Sequence, residues 1–181
     1  MQFKELKLDG LVLITPKIFE DERGFFLESY NQKVFAENNI KVNFVQDNHS
    51  FSYKGVLRGL HFQTEPHAQD KLIRVITGKV WDVAVDIRKD SKTFSQWEAV
   101  ELSAENKKIL FIPKGFAHGF LTLSDTADFL YKVSNFYSAR HDRGIIWDDP
   151  DIGINWPIQK PILSEKDQKY PKLKALKNCF N

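Results

Sequence analysis

An all-β fold, a barrel or sandwich of short strands with a few short peripheral helices, is predicted from three features of the sequence. From Lys41 onward, short runs rich in Val, Ile, Phe and Tyr are broken by Gly, Pro, Asp or Asn every eight to twelve residues, the spacing of strands joined by turns. In one such run, Lys79 to Arg88, the apolar Trp81, Val83, Val85 and Ile87 alternate with Asp82, Ala84 and Asp86, the period-two pattern of a strand. The third feature is size: 181 residues without internal repeats, low-complexity tracts or a Gly/Ser linker fit a single domain, long enough to close a barrel around a packed core.

The elements follow in order. Strands are expected at Leu11–Pro16 and Gly24–Tyr30, and then one short surface helix at Asn31–Asn39. That helix carries Val34 and Phe35 on one side, charged neighbours on the other, and an Asn at each end as a cap. Further strands are expected at Leu57–Gln63, Lys71–Thr77, Lys79–Arg88, Trp97–Leu102, Lys108–Ile112, Gly119–Ser124 and Asp128–Asn135. The polar, Lys-rich tail over 160–181 holds a last helix, Ser164 to Lys169, capped by Ser164 and bounded by Pro161 and Pro171. Alternation alone favours solvent for Asp82 and Asp86; in a barrel with a polar interior they would line the cavity instead.

Composition narrows the function classes. Hydrophobic residues at 42% and charged residues at 28% are ordinary for a globular protein, and 15 Phe supply much of the area to be buried. The 26 basic residues are matched by 24 acidic ones scattered among them, so a net charge of +2 gives no basic face for nucleic acid. The single cysteine, Cys179, excludes an intrachain disulfide and a zinc cluster. Neither a signal-peptide stretch nor a membrane span is readable, so a cytoplasmic location is expected.

The segment Gly55 to Gly78 resembles the first half of a cupin metal site, whose pattern is Gly, five residues, His-x-His, a spacer, Glu, six residues, Gly. Gly55 and His61 keep the spacing, but Gln63 stands at the second His position and Lys71 at the Glu position. An ammonium cannot ligate a cation that it repels. The second half, Pro-x-Gly-x-x-His, stands intact as Pro113 to His118. This resemblance implies a cupin, or double-stranded β-helix (jelly-roll), barrel that keeps its pocket without a metal or other cofactor. A histidine and a lysine left in such a pocket point to proton chemistry.

Eight ordered blocks extend the resemblance along the chain: FEDERGFFLE (19–28), QDNHS (46–50), GVLRGLHFQ (55–63), DVAVDIR (82–88), IPKGFAHGF (112–120), YKVSNFY (131–137), GIIWDDP (144–150) and LSEKD (163–167). They resemble the dTDP-4-dehydrorhamnose 3,5-epimerase family, metal-free cupin dimers acting on a nucleotide-diphosphate 4-keto-6-deoxy sugar. The chemistry explains the residue types. Protons at C3 and C5 both lie α to the C4 ketone, so a base removes either one if the enolate oxygen is stabilised, and inversion needs an acid on the opposite face.

The resemblance implies a role for each matched residue. His61 is the base, since imidazole titrates near neutrality, and Asp167 is the carboxylate that orients it. Lys71 is the cation facing the developing C4 oxyanion, and Tyr131 the acid on the other face. Asp82 and His118 face the same cavity. Arg58 and Arg23 suit phosphate oxygens; Glu28, Gln46 and Asn48 suit a nucleobase or sugar hydroxyls; Tyr137, Phe25 and Phe26 suit a stacking face. A homodimer is implied, with the first fifty residues at the interface and the Arg23–Glu28 block crossing to the neighbouring subunit. Phe136 departs from the family, which often carries a second aromatic hydroxyl there, so deoxythymidine is the default base rather than a deduction. Alternatives that share the first proton abstraction are the same chemistry on a GDP-linked heptose, inversion at C3 or C5 alone, and a 3,4-ketoisomerase. A non-catalytic sugar-nucleotide-binding cupin and a metal-dependent oxygenase are weaker rivals.

Overall fold

Period-two patterning becomes two sheets that share one interior. The computed structural model describes residues 1–176 and 180; Cys179 lies outside the described residues. The larger sheet is built from β1 (Gln2–Glu5), β2 (Val12–Thr15), β10 (Ile109–Ile112), β7 (Lys71–Thr77), β12 (Thr126–Val133) and β5 (Gln46–Tyr53), in that order. The smaller runs β13 (Asp142–Gly144), β6 (Leu57–Gln63), β11 (Phe116–Thr122), β8 (Lys79–Asp86) and β9 (Trp97–Ser103). Neighbours pair antiparallel throughout. The remaining two strands, β3 (Ile18–Asp21) and β4 (Gly24–Leu27), pair only with each other.

Apolar residues from both sheets fill the shared interior. Ile73, Val75, Ala127 and Phe129 from the larger sheet meet Val80, Ala84, Leu102, Phe116 and Phe120 from the smaller. Phe120 and Phe129 stack with ring centroids 4.0 Å apart and an interplanar angle of 12°, an aromatic pair worth about 0.5–1.5 kcal/mol beyond area burial.

Both outer faces are also covered. On the smaller sheet Leu60, Phe62, Val83, Val85, Ile87 and Leu121 pack against Ile145, Ile152, Trp156 and Leu173 from the C-terminal segment. On the larger, α1 (Gln32–Glu37) presses Phe35 onto Ile14, Leu72, Ile109 and Phe111. The helix starts as expected: the Asn31 side chain accepts from the amides of Lys33 and Val34.

Coverage of both faces corrects the simplest reading of β8. Its Trp81–Ile87 face is indeed apolar, yet Asp82 and Asp86 are wholly buried rather than in solvent. Asp82 points into the interior beside His118. Asp86 accepts from the backbone and guanidinium of Arg88 and from the hydroxyls of Ser91 and Thr93, a carboxylate used to close the loop after β8.

Other expectations are corrected as well. The last helix is a single 3-10 turn, Asp167–Lys169, because Tyr170 precedes Pro171 and is extended (φ −64°, ψ 147°). Its N-cap is Lys166 rather than the expected Ser164, whose Oγ nevertheless accepts from the Asp167 amide at 3.1 Å. β11 begins three residues before the expected Gly119, at Phe116. The Gly24–Tyr30 strand ends at Leu27. Strands β1, β3, β5 and β13 carry too many polar or charged residues to stand out by hydrophobicity.

β6 and β11 approach closely at two glycines, Gly59 and Gly119. Gly59 has φ of 138°, and a Cβ there would lie 2.5 Å from the Gly119 Cα and 3.0 Å from the His118 carbonyl oxygen. Gly59→Ala should therefore cost about 1–3 kcal/mol, seen as a lower urea midpoint at unchanged m-value. It should also lower activity by displacing His61, two residues along the same strand.

Candidate functional site

At the polar end of the interior lies a cavity of about 350 Å³, lined among others by Asn48, Arg58, His61, Gln63, Lys71, His118, Tyr131, Tyr137 and Asp142. Phe120 and Phe129 line it too, so the stacked pair of the core is also the cavity's apolar boundary. The two sheets contribute different groups. His61 (β6) and His118 (β11) belong to the smaller sheet, where they are register partners, while Lys71 (β7) and Tyr131 (β12) belong to the larger.

His61 is held from behind. Its Nε2 lies 2.6 Å from Asp167 Oδ1, and the Asp167 side chain is almost fully buried. Burial alone would raise the Asp167 carboxyl, but hydrogen bonds from His61, Ser164 and the Gly59 amide hold it below its usual range. An ionised carboxylate only accepts, so Nε2 carries the hydrogen and the Nδ1 lone pair is left as the basic site. Tyr170 packs edge-on against the ring, centroids 5.7 Å apart.

Lys71 is 8% exposed and donates to the His61 carbonyl oxygen at 3.2 Å. Burial lowers its titration to about 8, against the opposing pull of Asp82 and Asp142. At neutral pH it is thus an ammonium with most of its water stripped away. His118 Nε2 sits 3.0 and 3.1 Å from the two Asp82 oxygens, and burial favours its neutral form despite that carboxylate. Burial also raises the Tyr131 phenol, with Arg58 opposing and Asp142 adding to the rise, so Tyr131 keeps its proton at neutral pH.

Most residues expected at the site converge. His61, Lys71, Tyr131, Asn48, Arg58, His118 and Tyr137 line one cavity, with Asp167 behind His61 and Asp82 behind His118. Gln46 reaches the rim, donating to Asn48 and accepting from the Tyr137 amide. Arg58 is steadied by Ser52 Oγ and the Phe51 carbonyl. Arg23, Phe25, Phe26 and Glu28 do not line this cavity. Arg23 pairs with Asp21 on the exposed β3–β4 hairpin, and Glu28 accepts from Asn31.

Sequence reasoning missed Asp142 and Lys166, which form an ion pair at the cavity, Asp142 also accepting from the Tyr137 hydroxyl at 3.2 Å. Both lie within or beside recognised blocks, yet neither residue type stands out among many surface charges. Among the described residues no cluster of three or more His, Cys, Asp or Glu could hold a metal ion.

Comparison with known proteins gives the same family along nearly the whole chain. The family model described as dTDP-4-dehydrorhamnose 3,5-epimerase matches residues 5–175. The Shigella flexneri dTDP-4-dehydrorhamnose 3,5-epimerase is 60% identical over 168 residues, 92% of this chain and 93% of that protein. The one from Methanothermobacter thermautotrophicus is 52% identical over 96% of this chain and 95% of its own length. Among solved structures, the Legionella pneumophila dTDP-6-deoxy-D-glucose-3,5-epimerase in complex with dTDP-4-keto-L-rhamnose superposes with a TM-score of 0.94 at 48% identity, covering 97% of this chain and 94% of that one. With a cupin-like barrel, a converged polar cavity and matches of this extent, the chain belongs to the dTDP-4-dehydrorhamnose 3,5-epimerase family.

Proposed function

We propose that the protein inverts C3 and C5 of a dTDP-linked 4-keto-6-deoxy sugar through enolate intermediates. The observation that carries this reading is that His61 and Tyr131 approach one cavity from opposite sheets. Inversion requires a base on one face of the sugar carbon and an acid on the other. The substrate class is that bound by the Legionella relative, whose structure holds dTDP-4-keto-L-rhamnose.

His61 Nδ1 takes the proton from C3 or C5, and the C–H electron pair moves into a carbon–carbon double bond as the C4 oxygen becomes an oxyanion. Asp167 stabilises the imidazolium through Nε2–H. The Lys71 ammonium faces the oxyanion, where low polarity strengthens the attraction. Tyr131 then gives its proton to the opposite face, and the double bond returns to the ketone. Arg58 holds phosphate oxygens, Asn48 and Gln46 bond the nucleoside or sugar hydroxyls, and Tyr137 offers a stacking face.

The reading includes a homodimer of 1–181 chains in which the β3–β4 hairpin crosses to the partner. Supporting it, Phe19, Phe25 and Phe26 are 53%, 59% and 68% exposed on a hairpin bonded to no other strand. Arg23 and Glu28 would then complete the partner's cavity. The reading extends to a cytoplasmic enzyme supplying surface polysaccharide; among the described residues no helix is long and apolar enough to cross a membrane.

Incubation with substrate in D2O should introduce deuterium at both C3 and C5, and product NMR should show both centres inverted; absence of exchange would sink the mechanism. His61→Ala should lower turnover about 10²–10⁴-fold. Tyr131→Phe should still exchange deuterium into recovered substrate while forming little epimer.

Lys71→Met separates function from stability: turnover should fall roughly 10²–10³-fold while the fold becomes more stable. The folded lysine titrates near 8 against 10.5 for the free side chain. Between those values the unfolded chain holds a proton that the folded chain has released, so wild-type stability rises with pH there. The variant's advantage should therefore be full below pH 8 and fade towards pH 10.5, as followed by urea denaturation.

Replacing both Phe25 and Phe26 by Asp should yield monomers in light scattering and reduce turnover, with restored dimers on no simple increase in salt.

A further inference from the structure

Gln63 occupies the position where the metal-binding cupin pattern has its second histidine, and its amide is fully employed elsewhere. The side chain is 5% exposed. Its Oε1 accepts from the Ser138 amide at 2.6 Å, and its Nε2 donates to the carbonyls of His67 at 2.7 Å and Phe136 at 3.2 Å. The opposite amide orientation would set an oxygen against two carbonyls, so the hydrogen bonds fix it.

The segment it grips, 134–138, follows β12 and belongs to no strand. Its backbone is satisfied largely by side chains: Gln69 donates to the Asn135 carbonyl at 2.7 Å, and Gln46 accepts from the Tyr137 amide at 3.1 Å. Asp70 accepts from the Ser134 hydroxyl at 2.8 Å. Gln63 is the only one of these that holds the segment at two points, one on each side of Tyr137. It is also the one rooted in the strand that carries His61.

We infer that Gln63 is a positioning residue: by clamping Phe136 and Ser138 it fixes the Tyr137 ring at the cavity for the nucleoside end of the substrate, and takes no part in the proton transfers. The inference rests on the proposed function, in which Tyr137 faces the nucleoside. An unpaired segment of five residues samples many conformations, and fixing it beforehand removes that ordering cost from binding. The effect should appear in affinity for the nucleoside and not in the chemical step.

Gln63→Met keeps the volume and removes all three hydrogen bonds. It should weaken dTDP binding in calorimetry about tenfold or more and raise KM similarly, leaving pyrophosphate affinity and kcat within threefold of wild type. Tyr137→Ala should weaken dTDP to a like extent, and the double variant should lose no more than the worse single one, because Gln63 acts through that ring. Gln63→Glu retains the acceptor for Ser138 and loses the donors; its dTDP affinity should recover partly as pH falls and the carboxyl protonates. Equal losses for dTDP and pyrophosphate, additive losses in the double variant, or a fall in kcat at unchanged KM would each overturn the inference. A wild-type protein that binds pyrophosphate but not dTDP would overturn the functional reading itself, and this one with it.

Discussion

Burial of a single ammonium, that of Lys71, is the constraint around which the interior is arranged. Nothing apolar can sit beside it without cost, so carboxylates gather nearby: Asp82 behind His118, and Asp142 at the cavity wall. Each of those needs a partner of its own, which His118, Lys166 and Tyr137 provide. The polar half of the barrel is therefore a group of adjacent hydrogen-bonded pairs, His61–Asp167, His118–Asp82 and Lys166–Asp142, bounded by the Phe120–Phe129 stack where the apolar core begins. Burying such charges opposes stability, and the proposed function gives the buried cation its use, facing the developing oxyanion.

The two sheets do different work. The smaller one is buried on both faces, its outer side sealed by Trp156, Ile152 and Leu173, and this layer carries His61. The segment that seals it also supplies Asp167, so packing of the C-terminal region and orientation of the imidazole are a single event. The larger sheet supplies Lys71 and Tyr131 and ends at β5, whose outer face shows Phe51 and Tyr53 to solvent.

Much of this was legible in the sequence, and the misses have physical causes. β8 announced itself by alternation, but alternation reports only that two faces differ. It could not tell that the face bearing Asp82 and Asp86 looks inward, because the C-terminal segment that buries the other face is remote in sequence. Strand β5, QDNHSFSY, was invisible as a strand because its inward residues are polar, as a cavity wall requires. Of the residues that block resemblance singles out, His61, Lys71, Tyr131, Arg58, Asn48, His118 and Tyr137 meet around one space. Asp142 and Lys166 escaped because a surface ion pair and a cavity ion pair look alike until the fold brings them together. Arg23, Phe25, Phe26 and Glu28 stand apart from that space, on or next to a hairpin that pairs with no other strand.

The segment 134–138 owes its shape to side chains from β5, β6 and the loop after it, and hardly at all to sheet ladders. It contributes no residue to a strand ladder, so a change within it need not shift a strand register. In the proposed reading, where Tyr137 faces the nucleoside, preference for the base and competence in epimerisation lie in separate parts of the chain, so one barrel could be retuned to new activated sugars while its reaction stays fixed.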